Sequence, residues 1–202
     1  ATLNSNAATT DTKFDDNVQA VLNKASQQNQ EKQTKIAEIQ NLSNLNQSQK
    51  DALVQEVKDS LHSQAQSVLE KAKTLDTKMK QLKDKVAEES TNKALDAYQN
   101  ASEGVKKAYE NALENAKNVI NNQAANNGVS IPTNADATQV DQLISALDTA
   151  LVDIKKDAAK NAVDNLNNLS ETEKNEYKNQ IDQANTPENV ETIKEKAKNA
   201  ND

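Results

Sequence analysis

Apolar residues recur along this chain at steps of three and four. Val18, Leu22 and Ala25 open the pattern, it fades through the polar stretch 26–34, and it resumes at Ile36 and Ile39 before ending near Leu42 and Leu45. Each residue type in the polar gap still favours helix, so the spacing predicts one long helix with a solvated middle. Residues 1–14 carry no such period and are expected to form a loose leader. A second helix is predicted from Asn46, whose side chain can accept from a free backbone N–H, with Gln49 three residues on as the other half of a capping box. From Leu61 the positions Leu61, Ala65, Val68, Ala72, Leu75, Met79, Leu82 and Val86 step by four and three, the 3.5 period of a left-handed seam. Roughly thirty such residues make a helix of about 45 Å. That outruns one short bundle, so this helix is expected to be shared between two.

Downstream, Ser102 can cap a helix whose face is Val105, Ala108, Tyr109, Ala112, Ala116, Val119 and Ile120, with Tyr98 and Tyr109 supplying bulk. Residues 124–137 hold Gly128 and Pro132 and form the longest predicted loop. Thr138, with Asp141 at the third position, then opens a helix over Val140, Ile144, Leu147, Leu151, Ile154, Ala158, Ala162, Leu166 and Leu169. It is expected to run over 138–169 and to be shared as well.

The chain also repeats itself. "NLSNLNQSQKDALVQEVKDS", 41–60, is paraphrased by "NLNNLSETEKNEYKNQIDQA", 165–184, at an offset of 124 residues (165 − 41). Leu42, Leu45, Leu53 and Val57 correspond to Leu166, Leu169, Tyr177 and Ile181, and the capping pair Asn46/Gln49 to Ser170/Glu173. "VLEKAK", 68–73, then answers to "IKEKAK", 193–198, one residue further on. The extra residue fits the connection "NTPEN", where Thr186 can cap a helix and Pro187 can take its first position. Each copy reads as three helices, and the expected fold class is all-α: an elongated rod of tandem three-helix bundles sharing long helices.

Composition supports this reading and narrows the function. Only 35% of residues are hydrophobic, and the aromatics reduce to Phe14, Tyr98, Tyr109 and Tyr177, so one large globular core is not expected. Two Gly and two Pro are too few for a sheet protein with tight turns. Asn and Gln number 46 together, which alone would lean towards disorder, but the periodicity overrides that lean. Net charge is −7 and every cation is Lys. Clustered Arg and stacking aromatics are missing, so nucleic acid is not an expected partner. The absence of Cys excludes disulfides and thiolate metal sites and is compatible with export across a Gram-positive-type envelope. No apolar run reaches the ~20 residues of a membrane span, so membrane insertion is not expected. With no signal peptide or sorting signal between Ala1 and Asp202, the chain is read as an excised piece whose anchor lies elsewhere.

No residue recommends itself for catalysis or for a cofactor, and no enzyme is expected. His62 is the only His, with no Cys or second His to complete a site, and is read as a solvated cap or loop position. The acid pairs Glu88–Glu89 and Asp15–Asp16 point in different directions on a helix and lack EF-hand spacing, which leaves them as solvated faces. Ser60, Ser63, Ser67 and Ser170 have no base arranged beside them and read as caps or surface. Met79 is core filler. The Lys-rich run 73–85 could meet an acidic polymer or matrix protein, but its Leu75, Met79 and Leu82 belong to the seam, so a solvated face is the favoured reading.

Three stretches carry a family resemblance. "AYQNASEGVKKAYENALENAKNVIN", 97–121, resembles a FIVAR module through Tyr98, Asn100, Ala101, Ala108, Tyr109, Ala112 and Ala116. "LNNLSETEKNEYKNQIDQANTPENVETIKEKA", 166–197, resembles the GA module that follows FIVAR in the giant staphylococcal extracellular matrix-binding proteins, and 41–73 resembles a more diverged GA module. The resemblance implies a GA-like module over 15–75, a FIVAR-like module over 76–160 and a second GA-like module over 161–202. It further implies a stiff surface adhesin segment, extracellular on a bacterial cell wall, that contacts a host matrix protein such as fibronectin and neighbouring repeats of its own chain. The other readings are a structural spacer with no ligand and an albumin-binding GA module. The albumin-binding version carries aromatic and Gly residues at the start of its second helix, where this chain has "NQSQKDALV" and "SETEKNEYK". No ligand-binding residue follows from the resemblance.

Overall fold

A computed structural model describes the backbone of residues 2–202 and the side chains of residues 11–202. Helices α1 (Thr2–Gln40), α2 (Gln47–Asp59), α3 (Ala65–Ala87), α4 (Glu89–Ala94), α5 (Asp96–Gln99), α6 (Glu103–Ile120), α7 (Ala137–Asp164), α8 (Glu171–Gln183) and α9 (Pro187–Asn201) follow in chain order, with a 3₁₀ turn at His62–Gln64 before α3. α1 and α2 pack on α3; α3 and α6 pack on α7, with α4 and α5 closing the middle bundle; α8 and α9 pack on the far end of α7 and on each other. Three bundles therefore lie in line, with α3 common to the first two and α7 to the last two.

Local sequence sets most of the boundaries. Asn46 and Ser170 both complete reciprocal capping boxes, with Gln49 and Glu173 respectively. Thr186 accepts from the Asn189 N–H, and Pro187 starts α9 where its missing N–H costs nothing. α6 ends on Asn122 at φ 63°, with bonds from Asn122 N–H to the Val119 carbonyl (3.2 Å) and from Gln123 N–H to the Asn118 carbonyl (2.7 Å). This is a Schellman closure, with Asn in the left-handed position usually held by Gly. The loop that follows is ordered by an Ala125–Ile131 bridge, and buried Asn115 grips the Asn127 backbone at both its N–H (3.0 Å) and its carbonyl (2.8 Å).

Ile36, Ile39, Leu53, Val57, Leu69, Met79, Leu82, Tyr109, Val119, Val140, Leu147 and Ile154 belong to one continuous core spanning the first two bundles. The third bundle has its own, built from Ala159, Val163, Ile181, Ala184, Val190 and Ala197. Tyr109 is fully buried, its ring edge-on to Tyr98 at 6.0 Å and its hydroxyl accepting from Asn92 at 3.1 Å.

Several expectations are corrected. The loose leader is helical from Thr2, Ala1 lying outside the described residues. Nothing in 1–40 is Gly or Pro, so a helix nucleated further along can propagate back through these residues. Val18 and Leu22, expected on a helical face, do sit on α1, but are exposed alongside Phe14 and Val21. Leu61 is not in the seam: it precedes the 3₁₀ turn and is 68% exposed, because α3 begins only at Ala65. α7 is capped by Asp136 with Gln139, not by Thr138 with Asp141, and ends at Asp164 instead of 169. Its buried face is Val140, Leu143, Leu147, Ala150, Ile154, Ala159 and Val163, rotated from the expected one because a helix with partners on successive sides does not hold a strict seven-residue seam. Ala108 is exposed and Leu113, outside the expected face, is buried, while the Ser102 side chain makes no cap bond.

Candidate functional site

Polar side chains meet at both joints of this molecule, in different ways. At the first, the capping box of α2 uses only half of each amide: Asn46 Oδ1 accepts from Gln49 N–H at 2.8 Å, and Gln49 Oε1 accepts from Asn46 N–H at 2.9 Å. The free NH₂ groups point into the middle bundle. Asn46 Nδ2 donates to the carbonyls of Val119 (2.7 Å) and Thr133 (2.8 Å), and Gln49 Nε2 to that of Ala135 (3.0 Å). Asn122 Oδ1 accepts from Ser48 N–H at 3.1 Å. Asn46 and Gln49 are 6% and 1% exposed, so these are desolvated bonds with no water to replace them. Within the middle bundle, beyond this joint, Lys78 of α3 meets Asp141 of α7 (2.5 Å) and Lys85 meets Asp148 (2.6 Å).

The second joint is built differently. The third bundle is tied to α7 and its outgoing turn by Lys160 to Asp182 (2.8 Å), by Lys178 to Asp164 (2.7 Å), and by Asn168, bonded to Asn201. Asp164 raises the Lys178 pKa by stabilising its ammonium. On the middle-bundle side, Asp157 of α7 accepts from Ser102 N–H at 2.6 Å. Between α5 and α9 an open groove of about 1080 Å³ is lined by Leu95, Asp96, Asn100, Lys155, Pro187 and Glu191 among others.

The side chains weighed as chemical candidates are spread along the chain. His62 lies at the 3₁₀ turn against Glu31 of α1. Glu88 is exposed between α3 and α4, while Glu89 is gripped by Lys117 (2.5 Å) and Lys93 (2.8 Å), whose hydrogen bonds lower its pKa and raise that of Lys93. Asp15 and Asp16 are exposed on α1. Ser60 donates to the Val57 carbonyl, Ser170 caps α8, and Ser63 and Ser67 are exposed. Ser170 holds Glu173 ionised, lowering its pKa through N–H and hydroxyl bonds. In the Lys run, Lys73, Lys78, Lys80 and Lys85 each meet a carboxylate on α3 or α7. Among the described residues no group of three or more His, Cys, Asp or Glu is placed to hold a metal ion, and no helix is long and apolar enough to cross a membrane. The amides of Asn46 and Gln49 were foreseen as caps, but their second role depends on carbonyls some seventy or more residues away, a relation no local pattern carries.

The GA module family matches residues 29–78 and 151–202, the two copies of the repeated element. The chain belongs to the GA module family. It is 30% identical over 178 residues, 84% of its length, to the extracellular matrix-binding protein EbhB of Staphylococcus aureus strain Newman, and similarly to EbhA of strain Mu3. It spans 2% of the length of the former and 3% of the latter. Among solved structures, an EbhA domain from S. aureus matches with a TM-score of 0.57 and 22% identity, over 86% of this chain and 72% of that one. A structure of the extracellular matrix binding protein Embp, characterised in Staphylococcus epidermidis adherence to fibronectin, matches with a TM-score of 0.56 and 27% identity, over 64% of this chain and 98% of that one. This GA chain thus shares the helical repeat fold of matrix-binding relatives.

Proposed function

We propose that this chain is a non-enzymatic repeat segment of a bacterial cell-surface adhesin, a stiff helical array that holds a host matrix protein of the fibronectin type through weak, repeated contacts. The likeness to Embp, itself associated with adherence to fibronectin, supports the choice of partner. In this reading the middle bundle is a FIVAR-like module between two GA-like modules, the whole lies outside the cell, and the anchor belongs to another part of the parent protein.

The mechanism rests on geometry. Three bundles strung on shared helices present polar faces in a fixed order along one chain, so a second contact follows the first at an effective concentration set by the array, which raises avidity by about 10²–10⁴ without any new chemistry. Binding of this chain, and of several copies in tandem, to immobilised fibronectin and to albumin tests the proposal. The expected result is weak binding to fibronectin by one copy and tight, saturable binding by the tandem. No saturable signal from the tandem would make the segment a spacer, and saturation on albumin instead would move it to the albumin-binding GA modules.

A further inference from the structure

We propose that the two joints are mechanically unequal: the Asn46 and Gln49 amides lock the first bundle to the middle one, and the rod bends at the second joint, where α7 crosses alone. This is independent of what the array binds.

Three observations carry it. First, the core runs unbroken from Ile36 to Ile154 through the first joint, but the third bundle forms a separate cluster starting at Ala159. Turning the first bundle against the middle one would tear apolar contacts; turning the third would not, provided α7 flexes between Ile154 and Ala159. Second, the start of α2 is pinned to the middle bundle at four points: three amide bonds to the Val119, Thr133 and Ala135 carbonyls, and the Ser48 N–H to Asn122. Across the second joint, among the described residues, no hydrogen bond or ion pair links α4–α6 to α8–α9. The bonds of α8 and α9 go to α7, to its outgoing turn or stay within each helix and its own cap, and the groove separates α5 from α9. Third, the chain contains its own control. Ser170 and Glu173 stand where Asn46 and Gln49 do and build the same capping box, at 3.2 and 3.0 Å. A carboxylate has no proton to offer a carbonyl, and the single Ser170 O–H proton is directed at the Glu173 carboxylate, whose pKa it lowers. The amides are therefore not needed to start the helix; what they add is the pair of NH₂ groups aimed at the next bundle.

The control supplies the experiment. Asn46→Ser with Gln49→Glu transplants the second copy's cap into the first, keeping α2 started while removing three inter-bundle donors and setting a carboxylate against the Ala135 carbonyl. The chain has no Cys, so spin labels enter directly at exposed positions: Gln55→Cys with Lys107→Cys across the first joint, and Lys107→Cys with Lys196→Cys across the second. Pulsed electron-electron distance measurement should give a narrow distribution across the first joint and a broad one across the second. In the N46S/Q49E background the first should broaden towards the second, with helix content by circular dichroism unchanged. If helix content falls, Gln49→Glu alone carries the same comparison. A first-joint distribution as broad as the second in the parent chain, or one that stays narrow in the variant, would overturn the proposal.

Discussion

Asn115 shows how much a single polar side chain contributes in a molecule with so small a core. It is buried and hydrogen-bonded to both backbone groups of Asn127, so it holds a loop of some fifteen residues against α6. Asn115→Ala should cost about 1–3 kcal/mol, the penalty of leaving a buried donor and acceptor unpaired, and urea denaturation would read it as a lower midpoint; an unchanged midpoint would mean the loop is held by other contacts. Leu61 and Leu69 form the complementary pair. Leu61 carries 68% of its surface in solvent and Leu69 1%. Leu61→Ser should therefore stay within about 0.5 kcal/mol of the parent, whereas Leu69→Ala should lose about 2–5 kcal/mol; thermal melting of the two variants distinguishes them. Spacing alone put Leu61 in the seam because it sits four residues before Ala65, and it could not reveal that the 3₁₀ turn intervenes. Caps were readable for the opposite reason: Asn46/Gln49, Ser170/Glu173 and Thr186 each find their partner within three residues.

At the scale of elements, the short helix α4 is fastened by charge more than by apolar burial. None of its residues is buried, yet Glu89 joins Lys93 within α4 to Lys117 on α6. The two ammonium groups lower the Glu89 pKa. A carboxylate depressed in the folded state contributes stability above its unfolded value of about 4.3 and loses it as pH falls through the depressed folded value. Glu89→Gln should accordingly melt below the parent at neutral pH, with the gap closing under acid conditions; a gap constant down to the acid transition would show that the ion pairs add nothing. α7 marks the limit of periodicity as a guide. Its existence and its sharing between bundles were legible; its cap was missed because Thr138 with Asp141 competes with Asp136 and Gln139 two residues earlier, and the angle of its buried face was not legible because α3 and α6 cover one stretch and α8 and α9 the next. Each partner selects its own side of the helix, and a single repeating template cannot follow that change.

For the whole molecule, the duplication at an offset of 124 residues was the most informative feature of the sequence, since it marked the same helix–turn–helix element near both ends of the chain. What it could not show was that the joints differ, one with a continuous core and the other with a groove. A linear array follows from the contacts: α1 packs at one end on α2 and α3, α8 and α9 at the other on α7, and the middle bundle separates them. Small-angle X-ray scattering on this chain tests that arrangement most directly. The account predicts a radius of gyration well above the roughly 16–17 Å of a compact globule of this length, with a distance distribution tailing to long separations. A radius at the compact value with a symmetric distribution would contradict it.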